Sequence, residues 1–366
     1  MARARDRTPV LRRIASRVLA GFAVLAALAA AAREVPSPGG PAVRLPEGEF
    51  ASDAWDLIAR FQSGHLVFSQ AVVTNLGWGD HKAAVVGLVV TPDQKVQVFR
   101  RSEDEHGWKL SRDGLKMDLR SIVFDRRGSL HRLDVGKDEF ELRVEWKPSH
   151  SPVWPAVLPQ RCPIEIHEIA SEAQGSLWSE GMAGPTPLEG GRVALTHRWT
   201  AELEASCLVR RTELYVLEPD VGLYFTEIAT PDGATHRWVA LERAGNVVYQ
   251  GAPERAQLTW RSDASGYPAL QSADVTAAGV RLRANASEPF FSFDLLDRVP
   301  MPFRSALATR TRPRLMLARA HFMLELTNVG PGRAPAAQQG NAVVKIDYAN
   351  PLAAQAQPPA GAGTGG

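Results

Sequence analysis

The stretch Phe61–Pro92, FQSGHLVFSQAVVTNLGWGDHKAAVVGLVVTP, decides the reading of the chain. Its first run alternates with period two. Leu66, Phe68, Gln70 and Val72 share one face, and His65, Val67, Ser69, Ala71 and Val73 share the other. Neither face is wholly polar, so both are expected to be buried, one in a core and one toward a cavity or a second layer. Gly77, Trp78, Gly79 and Asp80 supply turn chemistry, and AAVVGLVV follows as a second strand.

Downstream the same period recurs in KVQVFR, LRSIVFD, LHRLDV and EFELRVEW, separated by Pro92-Asp93, Asp113-Gly114, Arg127-Gly128 and Gly136-Lys137-Asp138. Short strands spaced by about 8–12 residues predict an antiparallel sandwich or barrel. KPSHSPVWPAVLPQRCP then carries five Pro in seventeen residues, which places a domain boundary near residue 155. A second strand series runs from IEIHEI to AVVKIDYA. The expected fold is all-β, with two tandem antiparallel β-barrels covering residues 50–155 and 156–350. Upstream, Phe50, Ala54, Leu57, Ile58 and Phe61 recur at helical spacing behind Ser52 or Asp53 as N-cap, predicting one short helix before the first barrel.

The ends differ from the middle. Residues 1–32 carry six Arg against one Asp and end in the apolar run Val18–Ala32, an arrangement expected of a signal peptide or an N-terminal anchor. Arg12-Arg13 lacks the flanking pattern of twin-arginine export. Residues 33–49 are Pro- and Gly-rich and read as a linker, and residues 351–366 as a disordered tail. The whole chain has net charge +2; without the leader, 36 basic residues face 39 acidic ones. The main body thus offers no basic surplus for nucleic acid. The expected location is extracytoplasmic, free or anchored, with membrane contact through the N-terminus.

No nucleophile elbow, P-loop, His-Glu-x-x-His, calcium loop or dinucleotide fingerprint occurs. The nine His are scattered without a His-x-His pair, so no metal and no cofactor is expected. Cys162 and Cys207 are the only cysteines; a disulfide and two buried thiols both remain open. Thr-His-Arg-Trp occurs twice. His197, Trp199, His236 and Trp238 would form an aromatic wall with titratable tips if they point into the second barrel, and are structural residues otherwise. Trp78 is expected at a barrel mouth, and Asp80-His81 is either an acid–base pair or a solvated turn.

The run FSQAVVTNLG, the segment WKLSRDGL (Trp108–Leu115), Trp154-Pro155 and Arg161-Cys162 together resemble the survival-factor-type family of tandem lipocalin-like proteins, over Phe61–Leu217. At the superfamily level the chain is similar to carotenoid hydratases of the hydroxyneurosporene-synthase type. The resemblance implies two lipocalin-like barrels and an apolar ligand such as a lipid or isoprenoid. The expected function is binding of a hydrophobic small molecule, with Phe68, Trp78, His197, Trp199, His236 and Trp238 as ligand contacts. The alternative is a hydratase-like lyase that protonates an isoprenoid double bond. It needs a carboxylate inside a barrel beside Trp or Tyr, and Asp80, Glu204 and Glu227, with His81, are the candidates. Oligomeric state is not set by the sequence.

Overall fold

A computed structural model describes residues 42–350, except Arg44, Pro46, 77–79, Asp138, Ala156, 263–266, 299–300, Pro302, 309–310 and 328–335. The leader, most of the linker, the C-terminal tail and Trp78 lie outside the described residues. No helix among the described residues is long and apolar enough to cross a membrane.

Two curled antiparallel sheets make up the fold, the half-barrels of a tandem lipocalin-like protein. The first contains β1 (Ser52–Arg60), β2 (Leu66–Thr74), β3 (Lys82–Val90), β4 (Val96–Glu103), β5 (Lys109–Leu110), β6 (Lys116–Asp118), β7 (Ile122–Asp125), β8 (His131–Lys137), β9 (Phe140–Trp146), β10 (Ile164–Ser179) and β11 (Thr186–Thr200). The second contains β12 (Arg210–Leu217), β13 (Val221–Ala229), β14 (Thr235–Arg243), β15 (Asn246–Gly251), β16 (Arg255–Arg261), β17 (Ala269–Ala277), β18 (Val280–Asp294), β19 (Arg314–Leu326) and β20 (Ala336–Tyr348). One short helix, α1 (Phe303–Ala308), precedes β19.

Neighbours in sequence are neighbours in each sheet, and the first strand pairs with the last: β1 with β11, β12 with β20. Each sheet is therefore an up-and-down barrel with a seam, between β4 and β5 in the first and between β15 and β16 in the second.

Two expectations are corrected here. Residues 52–60 form β1, not a helix. The segment pairs along its whole length with both β2 and β11, and that double pairing outweighs its helical spacing of apolar residues. Strand pairing also runs past the boundary at residue 155. The Pro-rich segment is a long excursion from the first sheet, and β10 returns to pair with β9 and β11. The sheets change over between Thr200 and Arg210.

Both faces of the opening strand are buried, as its pattern predicts. Val67, Ala71 and Val73 of β2 join Trp55, Leu57 and Ala59 of β1 in the core of the first sheet. Leu66 and Phe68 join Ile58 in a layer shared with Tyr215, Tyr224 and Trp238 of the second sheet. A separate core fills the second sheet, around Phe225, Val275, Leu282, Phe322 and Ile346. Gly64, at φ +86°, makes the tight turn that sets this register, with the Phe61 N–H donating to the His65 carbonyl.

Candidate functional site

The site is built across three adjacent strands. Trp55 on β1 lies opposite His197 on β11, and His197 lies opposite Glu165 on β10. Odd-numbered residues of β1 and β11 face the first core, which brings Asp53, Trp55, His197 and Trp199 to the same side. Register shifts after Ile166 and Glu168 bend β10 and set His167 beside Glu165. His197, Glu165, His167 and Asp53 are all buried, as is Arg126, which follows β7.

The side chains meet closely. His197 Nε2 is 2.9 Å from Asp53 Oδ2, and Trp55 Nε1 donates to Asp53 Oδ1 at 3.1 Å. His197 Nδ1 is 3.7 Å from Glu165 Oε2, and His167 Nε2 is 3.3 Å from the same oxygen. The His197 ring stacks on Trp55 at 4.0 Å and 9°, while the Arg126 guanidinium sits 3.4 Å from the Trp55 ring centre. Two groups cannot share one face of an indole at those separations, so Trp55 is sandwiched between the imidazole and the guanidinium.

Several polar atoms here have no hydrogen-bond partner: Glu165 Oε2, His167 Nε2, His197 Nδ1, His131 Nδ1, Trp146 Nε1 and all three nitrogens of Arg126. Unpaired buried polar atoms are rare in folded proteins, and a concentration of them marks a place built for something else. The charge states follow the burial. Burial pushes the Arg126 guanidinium down to about 9, with Asp53 and Glu165 opposing. It pushes His167 down to about 4 against the pull of Glu165, and His131 to about 4 with help from Arg126. Burial would raise Glu165, but His167 and His197 outweigh it and hold the carboxyl at about 2. At neutral pH the centre therefore holds an ionised Glu165, a charged Arg126 and neutral imidazoles at His167 and His131.

A second polar cluster lies between the sheets. Lys345 Nζ on β20 donates to Asp56 at 2.7 Å, Glu213 at 2.5 Å and Asp347 at 2.7 Å. Arg211 donates to Asp347 at 2.7 Å, Arg198 to Glu204 at 2.8 Å, Gln70 to Asp56 at 2.9 Å and the Tyr224 hydroxyl to Glu213 at 2.6 Å. These groups are paired and tie the sheets together.

An open cavity of about 500 Å³ is lined by Ser149–Trp154, by Gly245 and by Asn246, Val247 and Gln250 of β15. Trp154 forms part of its wall and sits 5.4 Å from Trp199, whose ring is 4.7 Å from His197. Two indoles thus separate the groove from the buried centre. A further space of about 10 Å³ touches Trp199 next to Arg198 and Glu204.

The residues proposed from sequence scatter over these places. His197 and Trp199 face into the first barrel, not the second, because β11 belongs to the first sheet. Trp238 packs in the layer between the sheets, 6.2 Å from Tyr224, and His236 Nδ1 contacts the Val157 carbonyl, so these two line no wall with His197. Phe68 occupies the same inter-sheet layer. Asp80 is exposed; the His81 N–H donates to Asn75 and the His81 carbonyl accepts from Trp108, so the pair is an ordinary turn. Glu204 belongs to the inter-sheet network. Glu227 is buried between Arg210 at 3.0 Å and Arg237 at 2.8 Å. Cys162 and Cys207 come together as a disulfide, with Cα atoms 6.1 Å apart.

Sequence reasoning missed Asp53, Trp55, Arg126, Glu165 and His167. The available signal was the start of IEIHEI, where Glu165 and His167 alternate with Ile164 and Ile166. Polar residues inside a doubly buried strand must find partners in a core.

The fold and its polar-centred first barrel define a tandem lipocalin-like protein. An AttH-type protein of Nitrosomonas europaea superposes with a TM-score of 0.58 at 14% identity, covering 84% of this chain and 97% of that one. Kievitone hydratase from Nectria haematococca gives 0.58 at 10% identity, over 88% and 96% of the two chains. CghA bound to Sch210972 gives 0.57 at 10% identity, over 86% and 96%. No family model and no curated protein matches the sequence.

Proposed function

We propose that the protein is an enzyme of the hydratase or lyase kind, acting on an unsaturated apolar small molecule at the centre of the first barrel. One observation carries the reading: the buried line Asp53–His197–Glu165–His167 beside Trp55, with polar atoms left unpaired. A carboxylate inside a barrel next to a tryptophan is what acid-catalysed addition of water to a double bond requires. In this reading the Asp53–His197 pair gives a proton to one alkene carbon, water captures the positive carbon, and the proton that this water sheds returns to the pair. The likeness of fold to kievitone hydratase supports the class. The groove beside Trp154 is the approach for substrate.

Binding of a hydrophobic molecule without chemistry is the second reading. The groove is the feature that favours it, with Val153, Trp154 and Val247 offering apolar contact among polar neighbours. We place the protein outside the cytoplasm, a reading supported by the Arg-rich leader and the paired cysteines.

The test uses isoprenoid alkenes and prenylated phenols incubated with the protein in D₂O. Mass spectrometry should show deuterium uptake or gain of water with at least one probe. Asp53→Asn, which keeps the shape of the side chain, should slow that conversion by about 10²- to 10⁴-fold. A folded wild type that converts no probe, while binding them in the groove, would replace the enzyme reading with the carrier one.

A further inference from the structure

We propose that Glu165, His167 and His197 form a binding site for a first-row divalent metal ion of the zinc type. One ligand atom of each of these three residues lies within 4.8 Å of those of the other two. The separations from Glu165 Oε2 are 3.3 Å to His167 and 3.7 Å to His197. Metal bonds of about 2.0–2.2 Å set tetrahedral ligand edges of roughly 3.3–3.6 Å, which the two separations from Glu165 Oε2 approach.

Glu165 Oε2, His167 Nε2 and His197 Nδ1 lack hydrogen-bond partners, although all three residues are more than nine-tenths buried. At 3.3 Å a nitrogen and a carboxylate oxygen could hydrogen-bond, yet His167 and Glu165 are not aligned for it. Behind the trio, His197 Nε2 contacts Asp53 Oδ2 at 2.9 Å. A carboxylate on the far nitrogen is the usual support of a metal-binding histidine, since it fixes the tautomer and orients the ring.

The inter-sheet cluster provides an internal contrast. Asp56, Glu213 and Asp347 also converge, but there the Lys345 ammonium occupies the space between them. Among the described residues no side chain plays that part in the barrel centre. Arg126 is nearby, but its nitrogens make no hydrogen bond and its charge lies over Trp55.

Three protein ligands leave a fourth position for water, as in catalytic rather than structural zinc sites. This deepens the proposed function, and rests on it, only in what the ion would do; metal binding itself does not depend on that reading.

The experiment takes tag-free, full-length protein, stripped with chelator and reloaded with Zn²⁺ or Co²⁺. The expected result is one equivalent of zinc per chain by mass spectrometry, a visible Co²⁺ spectrum of low-symmetry four-coordination, and a raised melting temperature. Glu165→Gln and His167→Asn should each abolish the Co²⁺ spectrum, and Asp53→Asn should weaken affinity by about 10- to 100-fold. Folded wild type that takes up less than a tenth of an equivalent, or a Co²⁺ spectrum untouched by both ligand variants, overturns the site. The wild-type spectrum decides the matter even if a variant fails to fold. Probe conversion that survives chelation would remove the metal and keep the enzyme; stoichiometric metal with no conversion would do the reverse.

Discussion

Lys345 shows how much a single buried side chain can hold in place. Burial would push its ammonium toward the neutral form, but Asp347, Asp56 and Glu213 outweigh that and raise it to about 12. The lysine is fully buried and all of its donors end on carboxylates. Removing it leaves three acids facing one another with only Arg211 and Arg198 to compensate. Lys345→Met should destabilise by about 3–5 kcal/mol in urea unfolding, the cost of stranding buried charge. Adding Glu213→Gln should restore part of that loss, because it removes one of the stranded acids. A double variant worse than the single one would mean that the carboxylates are stabilised by something other than the lysine. Residues of this kind were hidden in the sequence. Lys345 stands in AVVKIDYA with only Asp347 as a charged neighbour, and nothing local says that Asp56, 289 positions earlier, will meet it.

At the level of the element, the sequence was clear where strands alternate and obscure where they do not. The pattern of β2 announced its two buried faces, and the strand series announced an all-β fold. β1 reads equally well as a helix, because a strand buried on both faces needs no polar spacing, and its apolar residues fall by chance on a helical stripe. That one misreading also hid Asp53 and Trp55, two members of the candidate site. β10 was obscure for another reason. Its bulges shift the register three times, and they decide which of Glu165, Ile166 and His167 face inward. One residue tests this construction. Gly175 follows the third shift, and an added Cβ would lie against the carbonyl of Arg143 on β9. The obstacle is backbone, which cannot swing aside. Gly175→Ala should therefore cost about 1–3 kcal/mol, with hydrogen exchange quickened along β9 and the C-terminal half of β10. Unchanged stability would mean that the two strands separate there without penalty.

For the molecule as a whole, what joins the two half-barrels is a mixed layer: Phe68, Tyr215, Trp238 and their apolar neighbours around the Asp56–Lys345–Asp347 network. The apolar part is indifferent to pH and the ionic part is not. Burial acts to raise both Asp56 and Asp347, but Lys345 first, then the arginines, outweigh it and hold both below the ordinary 3.8. A carboxylate with a depressed folded pKa stabilises the fold above its unfolded value, and that contribution is lost as pH falls through the folded value. Lys345, raised from 10.5, contributes fully below that pH and loses its contribution as pH rises through about 12. The layer should therefore be indifferent to pH between about 4 and 10.5 and weaken outside that window. Scanning calorimetry at pH 7 should show one transition for both sheets. At about pH 2 the melting temperature should fall, because unfolding then lets these carboxylates bind protons that they resist in the folded layer. Lys345→Met should split the transition at pH 7. If the wild type melts in one step at pH 2 and loses no stability there, the apolar part alone holds the barrels together, and the buried charges only fix their alignment.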